Sequence, residues 1–168
     1  MSNTKKAGRR ERLLARKRPT AVHQLRVEDD SAALEELAEA KAALEVAQFR
    51  TDDGAEQALA EAQRRVAKAH KAVAACYEPV AFTALLPKDF EELAAQPEHK
   101  AREGKDEAWN SDTFPRACFL ACVDTGDLTA EEWAEFAETN VSRAERTSLF
   151  LTAVGVNARY SDGTIPKG

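Results

Sequence analysis

The sequence predicts a mainly α-helical protein: an antiparallel helical hairpin forming a coiled-coil arm, a small two-stranded β ribbon at its base, and a C-terminal bundle of short helices. Three observations carry this. Apolar residues recur at Ala33, Leu37, Ala40, Leu44 and Ala47, then at Ala55, Leu59, Ala62, Val66, Ala69, Val73 and Cys76, in alternating steps of four and three. Runs of alternating character flank these stripes, Thr20 to Val27 before them and Tyr77 to Leu85 after them. The last third then carries repeated helix-start signals, at Thr113, Thr129 and Ser142.

The four-three spacing is a heptad seam, which lays one narrow apolar stripe along each helix and calls for a partner helix to cover it. Thr51-Asp52-Asp53-Gly54 supplies the turn between the arms, and Asp53 with Glu56 has the spacing of a capping box restarting a helix. A short break of this kind makes the arms antiparallel. Leu37, Leu44, Leu59 and Val66 are large residues of the stripe and the candidate interaction residues of the arm. Packing within the chain or with an identical copy is the plain reading, and docking of another helix the functional one; the sequence does not separate them.

Met1 to Pro19 reads as a basic arm without structure of its own. Its eight cations, among them Arg9, Arg10, Arg12, Arg16, Lys17 and Arg18, face Glu11 alone, leaving a net +7 there and −12 in the rest of a chain whose total is −5. Self-repulsion and the lack of anything to bury argue for disorder in isolation. An acidic surface is the natural partner, whether nucleic acid, a neighbouring subunit or another protein, and charge alone does not choose among them. No aromatic residue is interleaved with the cations, so base stacking is not offered.

In the first strand Leu25 and Val27 share a face, and in the second Val80, Phe82 and Ala84 do. Because one run enters the hairpin and the other leaves it, they meet at its base. Residues 20–86 therefore form one unit and residues 87–157 a small helical domain, followed by a flexible tail over 158–168. Pro87 opens a short helix to Ala95 with Phe90, Leu93 and Ala94 on one face, and Gln96 to Ala108 reads as a mobile loop without a core. Thr113 is placed to cap a helix whose first turn holds Pro115 and which continues to Val123. Thr129 with Glu132, framed by the staple pair Leu128 and Trp133, starts the next helix, and Ser142 with Glu145 starts the last, with Leu149, Phe150, Ala153 and Val154 inward. Trp109, Phe114, Phe119, Trp133, Phe136 and Phe150 read as the bulk of a core rather than as ligand-stacking residues.

Catalytic chemistry is not signalled. Cys118 and Cys122 lie one helical turn apart without a second ligand pair, and His23, His70 and His99 have no neighbour at ligand spacing, so no metal or cofactor is expected. No nucleophile elbow, phosphate-cradling glycine loop or His-led dyad appears. Three cysteines in apolar settings suggest reduced thiols, and the absence of a secretory signal or an apolar span suggests a cytoplasmic location without membrane contact.

The order of parts carries a resemblance. A basic arm and a helical hairpin lead into Phe82-Thr83-Ala84-Leu85-Leu86-Pro87. Ser111-Asp112-Thr113-Phe114-Pro115, the Leu128 to Trp133 cap and a final Val154-Gly155-Val156-Asn157 complete the series. This order resembles the tail assembly chaperones of long-tailed actinobacteriophages. The resemblance implies a non-enzymatic protein of the host bacterial cytoplasm that coats the tape-measure protein during tail morphogenesis, contacts other tail proteins and forms homo-oligomers. It also implies a longer product made by ribosomal frameshifting, for which Ile165-Pro166-Lys167 can encode a slippery run. Alternative readings are a structural tail or capsid-associated protein retained in the virion tail, and a nucleic-acid-binding adaptor that uses the arm.

Overall fold

The structure, a computed structural model, describes residues 8–158. Lys5, Lys6, the tail beyond Ala158 and the Ile165-Pro166-Lys167 segment lie outside the described residues. Within them the protein is mainly helical, at 60%, with seven α-helices and one two-stranded antiparallel sheet. In chain order the elements are α1 (Arg9–Leu14), β1 (Thr20–Arg26), α2 (Ser31–Gln48), α3 (Ala55–Ala75) and β2 (Tyr77–Thr83). There follow α4 (Pro87–Ala94), a 3-10 turn (Pro97–His99), α5 (Phe114–Cys122), α6 (Ala130–Thr139) and α7 (Arg143–Ala158).

The chain divides into two compact units, Gln24–Val80 and a second made of Met1–His23 with Ala81–Gly168. The division falls inside both strands, between His23 and Gln24 and between Val80 and Ala81. Leu25 and Val80 are buried on one side of it, Phe82 and Ala84 on the other.

In the unit Gln24–Val80, α2 and α3 pack through Leu37, Ala40 and Ala69, with Val66 and Val73 against them. Every stripe position of α3 is at least half-buried, while most of the rest of that helix faces solvent. The small residues Ala40 and Ala69, 0% and 2% exposed, let the two backbones approach. Asp53 and Glu56 do not form a capping box: α3 begins one residue later, with Gly54 at the cap and no side-chain cap bond. Val27 also departs from expectation, since it lies beyond β1 and is exposed. Its N–H and that of Glu28 instead donate to the Cys76 carbonyl, joining the chain before α2 to the chain after α3. Beside this junction Asp30, 4% exposed, accepts the Tyr77 hydroxyl at 2.6 Å and pairs with Arg26 at 3.3 Å. The Tyr77 hydroxyl and then Arg26 hold the Asp30 carboxyl below its usual range.

The second unit is built on aromatic side chains. Phe82 stacks against Phe119, which also contacts Trp133 and Phe150, and Trp133 meets Phe136. A second group joins Phe90, Trp109 and Phe114, with His99 edge-on to Phe114. All six aromatics expected in the core are therefore ring-packed, supplemented by fully buried Leu149 and Ala153. An antiparallel bridge from Phe82 to Val123, with the Asp124 N–H donating to the Ala81 carbonyl, covers part of the free edge of β2.

Both capping boxes of the last two helices form. Glu132 N–H donates to Thr129 and Thr129 N–H to Glu132, and Ser142 with Glu145 repeats the exchange. Thr113 does not cap α5 through its side chain. Its hydroxyl donates to the Glu98 carbonyl at 2.6 Å and contacts His99 Nδ1 at 3.0 Å. The segment after α4 is likewise no coreless loop. His99 is buried, and the Asp106 carboxylate, 1% exposed, accepts from the Arg102 backbone and guanidinium and from the Ser111 N–H and hydroxyl. The arm departs from expectation too, because Arg9–Leu14 is helical, with the Gly8 N–H donating to the Glu11 carboxylate. No α1 residue is buried. Ala158, read as the first residue of the tail, completes the last turn of α7.

Candidate functional site

The sequence-derived interaction residues of the arm lie in the seam. Leu37 is 8% exposed inside the α2–α3 core, Val66 packs against that core, and Leu44 and Leu59 are half-buried. Leu37 and Val66 are thus covered within their own chain. The outer flank of the seam is tied by Arg65, which pairs with Glu36 at 2.8 Å and Glu39 at 3.1 Å. Those carboxylates draw no more than the modest stability of exposed pairs from this contact.

Exposed apolar surface gathers instead at the C-terminal end of α2. Val46 is 68% exposed and Phe49 79%. Next to them, Ala43, Val46, Ala47, Ala58 and Ala62 line an open groove of about 300 Å³ with Arg50 and Glu61 among its polar members. Methyl side chains give such a groove a shallow floor on which another backbone can lie close. Sequence reasoning missed Val46 and Phe49, although a signal was present: both are large apolar residues standing off the apolar stripe, where packing between α2 and α3 needs none.

The basic residues fall into two sets. Arg9, Arg10 and Arg12 are exposed on α1, beside exposed Leu13 and Leu14. Arg16, Lys17 and Arg18 follow the helix and, with Pro19, Ala84, Leu85, Leu86, Pro87 and Asn157, line a cleft of about 280 Å³. The Arg18 guanidinium donates to the Ala84 carbonyl at 3.0 Å, which fixes the run against the cleft wall.

Beneath that wall is a hydrogen-bonded polar cluster. Cys118 and Cys122, both buried, hold their sulfurs 3.9 Å apart. The Asn157 amide donates to Cys122 at 3.2 Å, to Cys118 at 3.5 Å and to the Ala153 carbonyl at 2.8 Å, while its oxygen accepts the Leu85 N–H. The contact with Cys122 and burial push the Cys118 thiol up; the contact with Cys118, followed by the Asn157 amide and Leu85 N–H, pulls Cys122 down. The cluster is a hydrogen-bonded joint between α5, α7 and the segment after β2. Among the described residues no group of three or more His, Cys, Asp or Glu side chains is placed to hold a metal ion. Nor is any helix among them long and apolar enough to cross a membrane.

No protein-family profile, curated protein sequence or solved structure matches the chain.

Proposed function

We propose that the chain is a non-enzymatic protein-binding protein that acts as a phage tail assembly chaperone, holding the helical tape-measure protein in the host cytoplasm until other tail proteins replace it. In this reading α2 and α3 are the two arms of an antiparallel coiled coil, and α5, α6 and α7 form the small C-terminal bundle. The burial of the α3 stripe and the Arg65 pairs with α2 support the coiled coil. One observation carries the functional reading: with the seam closed, Val46 and Phe49 remain exposed beside an alanine-floored groove. An amphipathic helix can lay an apolar side into such a groove. Each contact is small, so binding gains strength from many copies along one long helix and stays reversible.

Co-expression with a tape-measure fragment tests this. The intact chain renders the fragment soluble, and Val46→Asp with Phe49→Asp abolishes the effect while leaving the helical circular dichroism and melting temperature in place. A fragment that stays insoluble with the intact chain, or that dissolves equally well with the double variant, overturns the proposal.

A further inference from the structure

The Arg16-to-Pro87 cleft belongs to the other unit and is independent of the groove at Val46 and Phe49. Its rim is three consecutive cations, all exposed, and its floor is Pro19, Ala84, Leu85, Leu86 and Pro87. Among the described residues, no carboxylate lines it. Among the described residues, none of the ion pairs engages Arg16, Lys17 or Arg18. The walls are built rather than incidental, since Arg18 is bonded to Ala84 and Leu85 to Asn157. The start of α4 at Pro87, which has no side-chain cap, adds potential of the same sign.

A ligand for this cleft needs negative charge together with apolar surface. That combination favours a polypeptide over nucleic acid, because among the described residues the floor offers no aromatic ring for a base to stack on. The chain carries a matching surface in the same unit. Glu131 and Glu135 lie one turn apart on α6, preceded by Asp127, and all three are exposed. Their neighbours Glu132 and Glu138 are occupied, the first by the Thr129 cap and the second by Arg116 and Arg146. Among the described residues the ion pairs leave Asp127, Glu131 and Glu135 unused. Leu128, half-buried next to Asp127, supplies the apolar element.

We infer that the basic cleft of one copy receives the acidic start of α6 from a second copy. Cleft and acidic face are different patches, so the contact pairs unlike surfaces and can pass head-to-tail from copy to copy. It is electrostatic at its rim and therefore weakens with salt.

Sedimentation velocity on the full chain tests the inference. The wild type shows concentration-dependent association at low salt that disappears at high salt. Arg16→Glu with Lys17→Glu, which leaves the structural Arg18 in place, weakens association roughly tenfold or more, as loss of two partly desolvated charge contacts implies. Glu131→Lys with Glu135→Lys, which spares the cap, does the same. An equimolar mixture of the two variants recovers association, because each supplies the surface the other has reversed. A wild type that stays monomeric at low salt overturns the inference, as do variants that associate undiminished or a mixture that fails to recover. Salt-sensitive binding of a DNA duplex through Arg16 and Lys17 without self-association also overturns it and assigns the cleft to nucleic acid. None of these outcomes depends on Val46 or Phe49, so the tape-binding proposal stands or falls separately.

Discussion

The Asn157 side-chain oxygen accepts the Leu85 backbone N–H at 2.7 Å across 72 positions of sequence. It thereby joins the end of the last helix to the segment that leaves the sheet. Asn157→Ala leaves that N–H without its acceptor and is expected to cost about 1–3 kcal/mol, read as a fall in the melting temperature. Asn157→Asp keeps an acceptor for Leu85 but loses the donors to both sulfurs and to Ala153, and places a negative charge beside Cys122. The rate of Cys122 alkylation in that variant should therefore rise only at higher pH than in the wild type, which a pH series with a thiol reagent will show.

Asp106 gives the second prediction. Arg102, followed by Ser111, holds its carboxyl far below the usual carboxylate range. A depressed folded-state value means that the stabilisation is complete above the unfolded value near 3.8 and declines as pH falls below it. Acidification from pH 5 toward strongly acidic conditions should loosen residues 102–112, measured as faster amide exchange there. Asp106→Asn should show the same loosening already at neutral pH.

Trp133 has a buried indole N–H without an acceptor among the described residues. Its ring nonetheless packs edge-on against Phe119 and Phe136. Trp133→Phe is expected to be neutral or to stabilise by about 1 kcal/mol, since it removes an unsatisfied donor and keeps an aromatic ring. Trp133→Ala should cost about 3 kcal/mol. Denaturant titration of both variants decides whether the ring or its nitrogen matters.

Leu37 and Phe49 make an opposed pair. Leu37→Ala opens a cavity in the α2–α3 core and should cost about 2–3 kcal/mol. Phe49→Ser, at a 79% exposed position, should change thermal stability by less than about 0.5 kcal/mol. Thermal melts followed by circular dichroism distinguish the two, and an equal loss at both positions would show that Phe49 serves the fold.

The parts legible in the sequence are those governed by local spacing. The stripe from Ala55 to Cys76 needs only the helical period, the Val80-Phe82-Ala84 alternation only the strand period, and the Thr129 and Ser142 boxes only a three-residue offset. What escaped depends on distant convergence. Asp106 looked like one more loop carboxylate because its ligands, Arg102 and Ser111, meet it only after the chain turns. Thr113 had the right position for a cap, but the Glu98 carbonyl, 15 residues earlier, competes for its hydroxyl. The cleft was invisible for the same reason: Arg16 to Arg18 read as a solvated tail until Ala84 to Pro87 and Asn157 stand beside them. Leu37 and Val66 belong to the apolar stripes read from the sequence, and in the structure they lie in or against the α2–α3 core of the same chain.

That closed seam bears on how the protein is made. Every contact of the α2–α3 core lies within Gln24–Val80, so this unit has what it needs to fold once residue 80 has left the ribosome. The aromatic unit must wait, because Phe119 on α5 meets Phe150 only once α7 has been made. A nascent chain is therefore expected to acquire a folded helical pair first, with its remaining strand residues held in readiness for a core that forms only after α7 has been made.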